Sequence, residues 1–151
     1  MRRVLVPLAA VVVVASLAYA VAPPRSAAGY ADRASSTLEL LRSQVQTVRL
    51  WIEAVEDEEV THLAASVAFN EAEEDARAES ATFAAYDPPD PFAESEPVRQ
   101  LVTAAGEDTV SLLGEVRVAA ATDRWDRLPV LDLHLDVAQA RLQEQAAEVR
   151  R

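Results

Sequence analysis

Ser36-Thr37-Leu38-Glu39-Leu40-Leu41-Arg42-Ser43-Gln44-Val45-Gln46-Thr47-Val48-Arg49-Leu50-Trp51-Ile52-Glu53-Ala54-Val55 is the stretch on which the fold turns. Alternating steps of three and four residues pick out Leu38, Leu41, Val45, Val48, Ile52 and Val55. That spacing is the apolar seam of a helix packed in coiled-coil fashion. Ser36-Thr37-Leu38-Glu39 has the form of a capping box, in which a hydroxyl and a glutamate three residues on satisfy each other's free amides. From Ser36 to Asp87 the sequence contains neither Gly nor Pro. Asp87-Pro88-Pro89-Asp90-Pro91 then ends the helix, because proline lacks the amide donor and disfavours helix in the residue before it. One helix from about Ser36 to about Tyr86 is expected, roughly 77 Å long at about 1.5 Å per residue. The alternative is a break near Asp57, where Val55-Glu56-Asp57-Glu58-Glu59-Val60 offers no turn former.

Downstream, Ser95-Glu96-Pro97 starts a second helix with proline in its first turn, and the pattern runs to about Thr122. Gly106 and Gly114 within it mark close helix contact, since each costs up to about 1 kcal/mol relative to Ala. Asp123-Arg124-Trp125-Asp126 makes a turn, with Asp126 as N-cap and Trp125 and Val130 as a hydrophobic staple. A third helix carries Leu128, Leu131, Leu135, Ala138, Leu142 and Val149. The fold class is therefore all-α: an N-terminal signal or anchor helix, then a long amphipathic helix packed with a C-terminal helical hairpin. That gives a three-helix bundle, or a four-helix bundle if the long helix breaks near Asp57. In the unbroken form the hairpin, about 40 Å long, covers only the C-terminal half of the long helix. The seam Leu38, Leu41, Val45, Val48, Ile52, Val55 is then left without a partner in its own chain. At about 25 cal/mol per Å² such a stripe does not stay in water. The expected cover is a second copy or a membrane-complex partner.

The first 22 residues read differently. Arg2 and Arg3 precede an uncharged run over residues 4–22 that includes Val11-Val12-Val13-Val14. Two readings stand. In the first it is a cleaved signal peptide, with Ala18 and Ala20 as the small residues before the cut. In the second it is an uncleaved anchor, long enough at about 1.5 Å per residue to cross a core of about 30 Å. Either sends the rest of the chain outside the cytoplasm. Residues 23–35 read as a linker and 36–151 as an extracytoplasmic helical bundle.

Composition narrows the chemistry. There is no cysteine, so disulfides, thiolate catalysis and Cys-ligated metals are excluded. All 14 basic residues are arginine, against 25 acidic ones, and the net charge is −11. Phosphate backbones repel such a surface, which argues against nucleic acid as a partner. Glu59-Val60-Thr61-His62 is a Glu-x-x-His. On a helix it would set carboxylate and imidazole on one face, as di-iron bundles require. The second motif is missing: His134 has no Glu three residues before it. Glu59 and His62, followed by Ser66 and Glu73 on the same stripe, remain the candidate metal or small-ligand site. The competing reading is a polar layer that fixes register. Glu71, Glu73, Glu74, Asp75 and Glu79 read as a solvated face. No nucleophile-elbow or phosphate-loop motif is present. The sequence therefore points to a non-enzymatic interaction module without a cofactor, exported or membrane-anchored, with a metal- or ligand-binding bundle as the alternative.

Overall fold

The computed structural model describes residues 26–88 and 95–151, and among these every regular element is helical. The signal or anchor segment, linker residues 23–25 and the prolines at 89 and 91 lie outside the described residues. Four helices follow one another: α1 Ala27–Glu56, α2 His62–Ala84, α3 Ser95–Ala121 and α4 Leu128–Val149. A short 3₁₀ turn, Trp125–Arg127, leads into α4. The helices run up, down, up and down. α1 packs against all three others, and α3 sits beside it along one diagonal. α2 and α4 flank that pair and do not meet.

Several expectations are corrected here. The first is the start of α1, which begins at Ala27 rather than near Ser36. Ser26 is its N-cap, and its hydroxyl oxygen accepts from the Gly29 amide at 3.1 Å. Residues 27–35 are thus helix and not linker, because Tyr30 and Ala34 extend the apolar stripe backwards and are buried. Ser36 is no cap; its hydroxyl donates to the Asp32 carbonyl one turn earlier at 2.8 Å.

The second correction is larger. The long helix is broken, and the four-helix alternative is the architecture. α1 stops at Glu56 and Asp57 is its C-cap. Glu58 adopts φ = 57°, the left-handed region. The Glu58 amide donates to the Val55 carbonyl at 3.1 Å and the Glu59 amide to the Ala54 carbonyl at 2.9 Å. This is a Schellman motif, normally built around glycine, and here it is built around glutamate. A left-handed non-glycine residue costs about 1–2 kcal/mol. Reversing the chain lets α2, α3 and α4 cover the seam, and Leu38, Leu41, Val45, Val48 and Ile52 are each at most 1% exposed. At about 1.5–3 kcal/mol per buried aliphatic side chain, that burial outweighs the turn several-fold. Val55, nearest the break, is partly buried against the core. The seam is therefore an internal surface and not an interface for a second copy or a membrane partner.

α3 spans the predicted range almost residue for residue. It ends in the same motif as α1: Asp123 has φ = 56°, its amide donates to the Ala120 carbonyl at 3.2 Å, and the Arg124 amide donates to the Ala119 carbonyl at 2.8 Å. Asp126 does not cap α4, whose N-cap Arg127 makes no side-chain capping bond. Pro129 in the first turn needs none, since it brings no amide. Val130, expected to pack on Trp125 across that cap, is 57% exposed.

Small residues set the α2–α3 spacing. Ala65, Ala72 and Ala76 of α2 are buried. A Cβ placed on Gly106 would lie 2.6 Å from the Ser80 hydroxyl oxygen and 3.1 Å from its Cβ. Gly106 thus marks close contact, whereas a Cβ on Gly114 would meet the Glu73 carboxylate at an ordinary 3.5 Å. Gly106→Ala gains up to about 1 kcal/mol of helix propensity but overpacks by about 1–3 kcal/mol; a net loss near 1 kcal/mol is expected in urea unfolding. Glu58→Gly is expected to do the opposite, raising stability by about 0.5–1 kcal/mol. A fall in the Glu58→Gly midpoint would contradict the left-handed turn.

Candidate functional site

Thr61 stands between the two residues of the expected metal site and separates them. Its side chain caps α2, accepting from the Ala64 amide at 3.2 Å. Glu59 therefore belongs to the turn and His62 to the first helical position. They do not share a helix face, and both are exposed. Among the described residues no group of three or more His, Asp or Glu side chains is placed to hold a metal ion. His62 instead stacks on Trp125, with ring centroids 3.9 Å apart and planes inclined by 16°. The Trp125 indole donates to the Asp123 carboxylate at 2.8 Å. This stack ties the α1–α2 turn to the α3–α4 connection. Nothing in the local sequence pairs these rings; folding α2 back along α1 brings them together.

Beyond His62 the same register turns inward along α2. Phe69, Ala76 and Phe83 point into the core, and Ser66 and Ser80 are half-buried. Glu73 is buried as well, at 4% exposure, and does not belong to a solvated acidic face. Its carboxylate accepts from Arg77 one turn on and from Arg117 of α3. A buried carboxylate needs such partners, since leaving one uncompensated is strongly destabilising. Glu79 is half-buried and accepts from the Thr37 hydroxyl at 2.7 Å. Glu71, Glu74 and Asp75 do face solvent.

On the opposite side, Arg49 of α1 reaches α4. It donates to Asp132 at 2.9 Å, Asp136 at 2.6 Å and Gln139 at 3.1 Å. The Asp132 hydrogen bond, helped by the charges of Asp132 and Asp136, holds the guanidinium pKa above its usual value. An open pocket of about 410 Å³ beside it is lined by Gln46, Glu53 and Glu56, among others. Arg42–Gln143 at 3.3 Å and Arg150–Glu39 at 2.5 Å continue the α1–α4 contact.

Between α3 and α4 the fit is looser. Among the described residues the one ion pair across it is Arg141–Asp108 at 4.0 Å, with both side chains largely exposed. A groove of about 300 Å³ runs there, lined by Ala104, Ala105, Asp108, Leu112 and Glu115 of α3 and by His134, Val137, Ala138, Arg141 and Gln145 of α4. His134, the second histidine, thus lies in this groove and away from His62. The Gln145 Oε1 atom is buried without a hydrogen-bond donor. On the outer face of α4 beside it, Val130, Leu133 and Val137 are 57%, 66% and 59% exposed. With exposed Ala140 they keep the three-and-four spacing of a helix-packing seam.

Searches against known protein families, curated proteins and solved structures found no match to this chain.

At the end of the bundle where α1 begins, Tyr30 is 1% exposed and packs on Phe83 with ring centroids 5.5 Å apart. Its hydroxyl has no hydrogen-bond partner. Burial raises its pKa above 10.0, with Arg99 opposing and Glu96 adding to the shift. An unpartnered buried hydroxyl costs about 1–3 kcal/mol, so Tyr30→Phe is expected to stabilise the fold by about 1 kcal/mol at neutral pH. The raised folded-state pKa means that stability is complete below pH 10.0 and falls as pH climbs through the folded value. Unfolding curves of the Phe variant should therefore be flatter in the alkaline range than those of the parent.

Proposed function

We propose that this protein is a non-enzymatic helical interaction module working outside the cytoplasm, delivered there by residues 1–22 as a signal peptide or membrane anchor. The observation that carries the reading is the second apolar row on α4. The inward row of Leu128, Leu131, Leu135 and Leu142 is spent on the core. Val130, Leu133, Val137 and Ala140 form an outward row at the same spacing. Single exposed aliphatics are ordinary on a protein surface, whereas an ordered row of them is the mark of a contact surface. The partner is a protein or a second copy, and the interface is the α4 face and not the buried stripe of α1. Among the described residues no helix is long and apolar enough to cross a membrane. Attachment, in this reading, falls to residues 1–22.

The test uses the tagged full chain in its own host, with fractionation followed by in-cell cross-linking. The expected result is recovery from the extracytoplasmic or membrane fraction, with a cross-linked species that Leu133→Glu removes. Recovery from the cytosol alone, or cross-linking indifferent to Leu133→Glu in a folded variant, would sink the reading.

A further inference from the structure

We infer that the open groove between α3 and α4 receives a basic amphipathic helix of a partner protein. The inference rests on the module reading above and names the seat and the partner's chemistry.

Two observations converge on that occupant. The first is shape. From Ala104 to Glu115 the groove runs about 16 Å at about 1.5 Å per residue, or three helical turns. Alanines at 104, 105 and 138 keep it wide, while Leu112 and the exposed Val137 offer apolar contact. This is the form that takes the apolar face of a helix. The second is charge. Asp108 and Glu115 stand exposed on the α3 rim of a chain whose net charge is −11. Arg141 is the one arginine of the lining, and it already faces Asp108. A second copy brings the same negative charge and is repelled; a helix with Lys or Arg beside its apolar face is attracted.

Closing the groove asks little of the bundle. Among the described residues Arg141–Asp108 is the only ion pair spanning it, and so exposed a pair contributes little to stability. An incoming cation can replace Arg141 at Asp108 without disturbing the core.

The experiment measures fluorescence anisotropy of a labelled Leu/Lys helical peptide of about 14 residues, long enough to span the groove, titrated with the full chain. Saturable one-to-one binding that weakens with salt is expected, and a Leu/Glu peptide of the same pattern should not bind. Asp108→Arg with Glu115→Arg should weaken binding by roughly tenfold or more. The charge-matched pair Glu71→Arg with Glu74→Arg, on exposed positions of α2, should leave it nearly unchanged. Val137→Ser should weaken it several-fold, and thermal melts establish that each variant is folded. Equal losses in the two charge-reversed pairs would mean attraction to net charge alone and would overturn the groove. So would equal binding of the Leu/Glu peptide, or no binding at about millimolar concentration. If peptide binding fails while the in-cell cross-link persists, the groove is refuted and the module reading stands.

Discussion

Burial of one face of α1 is the constraint from which the architecture follows. Leu38, Leu41, Val45, Val48 and Ile52 cannot remain in water, and a single rod-like helix would have left them there. The chain resolves this by turning at Asp57–Glu59, although the left-handed position there is held by Glu58 and not by a glycine. A left-handed glutamate is a small penalty beside five buried aliphatics. Once α2 returns along α1, the remaining two helices are long enough to complete the cover. Tertiary packing decides the local conformation here.

Polar pairs then fix how the helices are aligned. Arg49 with Asp132 and Asp136 joins α1 to α4, Thr37 with Glu79 joins α1 to α2, and Arg117 with Glu73 joins α3 to α2. Each couples residues far apart in sequence, and a slip by one turn would break it. Glu73 is the most exacting of these, because its burial makes both arginines necessary. The α3–α4 seam has, among the described residues, only the exposed Arg141–Asp108 pair, and it is there that the surface stays open.

Much of this could be read from the residues in order. The all-helical class, the span of α3, the inward row of α4 and the close approach at Gly106 follow from periodicity and composition. The break near Asp57 was visible only as an alternative, since Glu58 takes its left-handed form for reasons that lie 20 residues away. Glu59 and His62 illustrate the same gap. Their spacing suggests a shared face only if the helix is continuous, and Thr61 restarts it between them. The His62–Trp125 stack and the Gln145 acceptor in the α3–α4 groove depend on which helices become neighbours. Single-residue patterns hold no record of that. Tyr30 and Ala34 were legible in principle, because they continue the stripe of α1 with the right spacing; the glycine and serines around them suggested linker instead.

An even number of antiparallel helices has a geometric corollary. α1 starts and α4 ends toward the same pole, with α4 stopping level with Glu39, well inside α1. The other pole carries both left-handed turns and the His62–Trp125 stack. A tether joined ahead of Ser26 would therefore hold the molecule by one pole, with the helix axes free to stand upright like a post. Leu63, 76% exposed beside the far turn, would then be presented at the greatest height. The α3–α4 channel would run vertically along the side, open to whatever approaches laterally.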